Sequence, residues 1–302
     1  MLRRDAAPLT NSEPGSRPER DGCFLLTQGV FVYYNDLVQT QAMPDTYYEP
    51  TGVIMGTESK NREEQRRELN GITYFDRGRL TGRDGMQYDR YAIQTHFIEV
   101  GEDQAELVKR YVGPLYQQGD VLAFGAKVMA MCTKNVRTKE QVHPGFWAKA
   151  LSRHASETQA GIGMHDAYKL QLAIDMVGAP KVVFASVASA VTKLFGVHGV
   201  FYKIVGPGVA GIDGFYYRSP FDRYHDLALI NNENAQELCD DLEKKTGIPV
   251  VLMDANDIDQ NQLGKCSDFP LTDDQIQDAL KDNPSGQGGE LTPFILIRPV
   301  KK

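Results

Sequence analysis

Cysteine is sparse and placed for neither of its structural uses. Cys23, Cys132, Cys239 and Cys266 stand singly, with no C-x-x-C pair. That excludes a zinc ribbon and the dense framework of a small secreted domain, and the expected setting is the reducing cytoplasm. Long hydrophobic runs are missing too. The longest, residues 182–191, is interrupted by serines and flanked by Lys181 and Lys193, well short of the roughly 18 residues that cross a bilayer, so no membrane partner is expected. The basic start, residues 1–4, is not followed by the apolar core of a signal peptide. Positive charge is in deficit, with 33 Lys and Arg against 40 Asp and Glu and a net charge of -7. A general nucleic-acid binder needs the opposite balance. A small anionic ligand, held by a few local cations or a metal, is compatible with it.

Several motifs are absent as well. The glycine pairs at 161/163 and 206/208 do not complete G-x-G-x-x-G, and no G-x-x-x-x-G-K-[ST] occurs, so neither a Rossmann nor a P-loop reading stands. The six histidines lack H-x-x-x-H or H-E-x-x-H spacing, which argues against a histidine metal site. Ser186 and Ser189 lie in a small-residue run outside any G-x-S-x-G and are read as helix packing. Cys132 is read as a packed thiol before a nucleophile.

What is present is a chain of 302 residues, 41% hydrophobic, long enough for a real core. Residues 1–22 read as a disordered tail, 23–90 as an amino-terminal extension of unknown role, and 91–302 as the main domain, with an enlarged middle near 137–205. The polar run 58–68 is either a solvated helix or a linker. Ile93, Phe97 and Ile98 predict a strand, and Leu107, Val108, Tyr111 and Val112 a helix stopped by Gly113-Pro114. Residues 121–131 predict one long strand carrying Lys127. The block 140–200, including a helix with Ala167, Leu170, Ile174 and Val177 on one face, reads as core scaffolding. A helix over Ala235, Leu238, Cys239 and Leu242, a strand 250–253, a capped helix from Thr272 and a strand 294–297 complete the series.

Acids stand where apolar strands meet loops: Asp213 in A-G-I-D-G, residues 210–214, and Asp254 after the strand 250–253. Open sheets place ligands at such strand ends. A carboxylate there needs water, a hydrogen bond or a cation, and its hard oxygens suit Mg²⁺ or Mn²⁺ beside phosphate. Taken alone, either Asp reads first as an Asx-turn. The loop G-Q-G-G-E at 286–290 offers open amides to phosphate and Glu290 to a metal, or serves as a plain surface loop.

Taken in order, these segments resemble the coenzyme F-420:L-glutamate ligase family over about residues 91–298, as a divergent member. The residues that carry the resemblance are T-H-F-I at 95–98 before G-E-D at 101–103, G-D-V-L at 119–122, A-G-I-D at 210–213, the strand ending at Asp254, and the glycine loop before Pro293 and Arg298. The resemblance implies an α+β fold of mixed sheets packed with helices, outside the doubly wound class. It implies metal ligation by Asp213 and Asp254, with Glu290 or Asp257 completing the set. It implies triphosphate contacts at Thr95, His96, Phe97, Ile98, Ala126, Lys127, Tyr216, Gly286, Gln287, Gly288, Gly289 and Thr292. The implied activity is addition of L-glutamate to a carboxylate acceptor through an acyl phosphate, using GTP or ATP with Mg²⁺ or Mn²⁺, and K⁺ by the same resemblance, in a homodimer. The chain departs from the family at Tyr216, Ala255, Gln287 and Met131; Met131 takes the place of a lysine, with Lys127 about 13 Å away along the expected strand. No general base is named. A non-catalytic nucleotide- or metal-binding protein and an interaction protein remain as rival readings.

Overall fold

Residues 121–124, 250–253 and 294–297 are unbroken apolar runs, and each becomes a strand buried on both faces. The computed structural model describes residues 64–155, 163–215, 221–255, 260–286 and 290–300, all within one compact unit, Val38–Lys302. The expected tail, the run 24–63, Cys23, Gly161, Tyr216, Asp257, Gln287, Gly288 and Gly289 lie outside the described residues.

Seven strands form a mixed sheet: β1 (Arg66–Leu69), β2 (Ile72–Thr81), β3 (Gln87–Ile93), β4 (Val121–Gly125), β8 (Val250–Ala255), β9 (Gln260–Lys265) and β10 (Phe294–Val300). Their order is β1-β2-β3-β10-β4-β8-β9. β4 and β8 run parallel, and the other pairings are antiparallel. The period-2 alternation of strands divides the apolar runs between two cores. Leu122, Phe124, Val250, Leu252, Phe294 and Leu296 face one core, closed by α1 (Gln104–Leu107, continued by a wider π turn at Val108–Val112) and α8 (Ala235–Thr246). Val121, Ala123, Val251, Met253, Ile295 and Ile297 face the other, closed by α9 (Asp273–Leu280). Burial on both faces is why these runs lack the polar half of an alternating pattern. The capping box at Thr272 and Gln275 opens α9 as expected, and Gly247, at φ 73°, ends α8 in the left-handed region that glycine tolerates.

A smaller antiparallel sheet, β5-β7-β6, is made of β5 (Val136–Thr138), β6 (Ile212–Gly214) and β7 (Leu227–Ile230). It carries the helices α3 (Phe146–Ser152), α4 (Ala167–Val177), α5 (Ala179–Lys193), α6 (Val200–Val205) and α7 (Pro207–Ala210) around a separate core of Leu170, Ala173, Val182, Ala185, Val209 and Ile212, among others. Between the two sheets runs α2 (Ala126–Cys132), whose Ala130 and Met131 pack on Leu229.

Four expectations change. The strand over 121–131 stops at Gly125, and Lys127 lies on α2: Ala126, Met129 and Ala130 are buried at helical spacing. The strand expected to reach Ile98 ends at Ile93, and residues 94–99 form an irregular loop. The boundary expected at residue 90 falls inside β3, which pairs with β10 from Ile93 to Gln87, so residues 66–90 form the outer strands of the large sheet. Within the polar run 58–68, residues 66–68 belong to the exposed edge strand β1. The coarse class, α+β with a mixed sheet and packed helices, is the one expected.

Candidate functional site

The pairing registers bring distant segments to one end of the large sheet. β4 and β8 run parallel: β4 stops at Gly125, opposite Met253, and β8 continues two residues further to Ala255. β10 starts opposite the ends of β3 and β4, with Phe294 across from Ile93 and Phe124. The loops at 94–98 and 290–293 and the start of α2 directly after Gly125 therefore meet there. Two hydrogen bonds tie them: Thr95 N–H donates to Leu291 O at 2.9 Å and Gly125 N–H to Pro293 O at 2.9 Å. The Thr95 and Thr292 hydroxyls donate to His96 O and Ser285 O, so both act as struts of the loops.

α2 carries the chain from this end toward the small sheet, and the ion pair at the centre of the site follows from that. Lys127 Nζ on α2 stands 2.6 Å from Asp213 Oδ2 on β6. Their side chains are 54% and 39% exposed, open to an incoming ligand. Asp213 raises the pKa of Lys127 against the desolvation there, with Asp254 and Tyr224 adding to it. Burial works against the Asp213 carboxylate, but the charge and hydrogen bond of Lys127, with Lys169 behind, hold it below its ordinary value. Lys169, on α4 and 9% exposed, has its pKa lowered by burial against the pull of Asp213, Asp166 and Asp254. Two lysines and two aspartates thus act on one another across the facing ends of the two sheets.

The glycine of A-G-I-D has a definite task. Asn231, just after β7, donates from Nδ2 to Asp254 Oδ2 at 2.8 Å. A Cβ on Gly211 would lie 2.5 Å from that same Nδ2, closer than atoms pack. Gly211 therefore leaves room for the amide that orients Asp254.

Of the expected metal set, Asp213 and Asp254 come together about the lysines, whereas Glu290 is ion-paired with Arg77 of β2 beneath Gly286. Among the described residues, no group of three or more His, Cys, Asp or Glu is arranged to hold a metal ion. Ile98 is buried in the large-sheet core. Phe97 packs on Phe221 and Tyr224. His96 is bracketed by Tyr111 Oη at 2.6 Å and Glu102 at 3.0 Å. Ala126, at 2% exposure, starts α2. Met131 is one helical turn from Lys127, about 6 Å along the axis and not 13 Å, and Tyr224 Oη donates to its Sδ at 3.6 Å.

Sequence reasoning missed Lys169, Tyr224 and Asn231. Lys169 sits inside a stretch that reads as scaffold, three residues after its N-cap Asp166. Tyr224 and Asn231 carry no local motif, and only the β6-β7 pairing brings them to Asp213 and Asp254. Cys132 is a packed thiol, buried and pushed up to about 12 by desolvation. No protein-family model matches the chain, and neither does any curated protein sequence.

Proposed function

We propose that this chain is a nucleoside-triphosphate-dependent amide ligase of the gamma-glutamyl ligase type, joining L-glutamate to a carboxylate acceptor. The observation that carries the reading is the convergence of loops 94–98 and 290–293 and the start of α2 beside the Lys127–Asp213 pair, with Asp254 and Lys169 next to it. The order of these segments along the chain is that of the ligase family it resembles.

Two carboxylates are a sufficient protein contribution for Mg²⁺ or Mn²⁺, which take their remaining ligands from phosphate and water. Asp213 and Asp254 are the residues that would hold such an ion, and it would supply neutralising charge to the triphosphate. The chain's own residues do the rest. Lys127, half exposed and paired on one side only, offers its ammonium to the γ-phosphate oxygens. Asn231 keeps the Asp254 carboxylate aimed. The acceptor carboxylate attacks the γ-phosphorus as the bond to the leaving diphosphate breaks, giving an acyl phosphate. The amine of glutamate then attacks the acyl carbon, phosphate departs and the amide forms. Positioning and exclusion of water protect the activated acyl group.

A second reading, nucleotide binding without turnover, is favoured by Met131, which stands at 1% exposure where the family has a lysine. Phosphate release from GTP and ATP with Mg²⁺ or Mn²⁺ separates the two. It is measured with glutamate, with and without the coenzyme F-420 precursor as the acceptor. Acceptor-dependent release with a glutamylated product supports the ligase, binding without release for every carboxylate offered supports the second reading, and absence of nucleotide binding removes both.

A further inference from the structure

α5 carries apolar residues on both its inner and its outer side. Val182 and Ala185 are buried in the small-sheet core. Phe184, Val187 and Val191, spaced three and four apart, are 64%, 56% and 49% exposed, and beyond the helix Leu194 and Phe195 reach 83% and 78%. The stripe continues onto α3, whose Phe146 and Trp147 are 75% and 47% exposed and stack edge to face at 5.2 Å. Trp147, Ala179, Pro180, Val183, Phe184 and Val187 line an open groove between the two helices. Isolated exposed apolar residues are ordinary, but a contiguous aromatic and aliphatic face marks a contact surface.

Charge identifies the occupant. The chain carries 40 acidic residues and a net charge of -7, yet residues 176–212 contain none, while Lys181, Lys193 and Lys203 fall within them and Lys149 lies two residues along α3 from Trp147. All four lysines are exposed. An apolar strip of Phe, Trp, Leu and Val flanked by lysine, with acid excluded, is the composition that lies in the headgroup region of an anionic bilayer. A second copy joined about a two-fold axis would set these lysines against themselves. No single helix among the described residues is long and apolar enough to cross a membrane, and α4 and α5 bend by 120° at their junction. That geometry suits a helix lying on the surface.

We infer that the outer face of α5, with Phe146 and Trp147 of α3, docks on an anionic lipid bilayer. The contact is independent of the ligase reading. Trp147 is the chain's sole tryptophan, so its emission reports on this face. The test mixes the full chain with vesicles of phosphatidylcholine alone, or of phosphatidylcholine containing about one third phosphatidylserine. The expected result is a blue shift and co-sedimentation with the anionic vesicles only. Partitioning should fall at least tenfold in a Leu194→Ser/Phe195→Ser variant whose circular dichroism is unchanged, and about fivefold for each of Lys181→Ala and Lys193→Ala. Three results would overturn the inference: no shift with anionic vesicles, undiminished binding by the Leu194→Ser/Phe195→Ser variant, or a lipid-free shift that tracks a dimer in sedimentation velocity.

Discussion

The large sheet and the helical region on the small sheet use apolar residues in opposite ways. In the large sheet every apolar run is consumed: β4, β8 and β10 bury alternate residues against α1 and α8 on one face and α9 on the other. In the helical region α5 is apolar on its inner and its outer side, and only the inner side is covered. A run of hydrophobic letters therefore reports core in one place and surface in the other. Covered strand faces separate the two cases, because a strand with both faces packed has no outer side left to expose.

The strongest way to break this contrast is to cut matched phenylalanines. Phe124→Ala should lower the unfolding free energy by about 3–5 kcal/mol in urea titration, since its ring is fully buried against Phe294. Phe184→Ser should stay within about 0.5 kcal/mol of the parent. Equal losses would mean that the outer face of α5 is covered. At the seam between the regions, Lys127→Met should reduce phosphate release from the triphosphate by about 100-fold or more while leaving the thermal midpoint nearly unchanged. Unaltered release would remove Lys127 from the chemistry.

Smaller effects sharpen the seam. Gly211→Ala and Asn231→Ala both act through the amide that orients Asp254. Each should slow turnover by about tenfold, roughly the worth of one hydrogen bond to a charged group, and the double variant should lose no more than the worse single. The smallest effect concerns acid. The folded pKa of Asp213 lies below its ordinary 3.8, so the stability it contributes is present above that pH and lost as pH falls through the folded value. Asp213→Asn should flatten the acid limb of the stability curve below about pH 4, modestly because the pair is open to solvent. A limb as steep as that of the parent would deny the carboxylate that role.

Much of the large sheet was legible because period-2 burial and helix caps are local properties. Thr272 with Gln275, Gly247, and the runs 250–253 and 294–297 all announce themselves within a few residues. The misreading of 121–131 has a physical cause. A buried strand and a buried helix are both continuously apolar, and only the end of pairing at Gly125 distinguishes them. The candidate site was half legible. Asp213, Asp254 and Lys127 come together, while Glu290 answers to Arg77, and Lys169 on α4 and Asn231 after β7 stayed hidden. Their placement depends on contacts between residues far apart in the chain, which no spacing rule records.

β10 is the last of the described strands along the chain, yet it occupies the middle of the large sheet, between β3 and β4. During synthesis, β1–β3 and the β4-β8-β9 group exist as two fragments with unpaired inner edges. They stay apart until residue 300 has cleared the ribosome, several seconds or more after β4 at about 5–20 residues per second. Exposed strand edges recruit other strands. The closing strand thus acts as a keystone: until it is in place, the inner edges of β3 and β4 stay open to pairing with other strands.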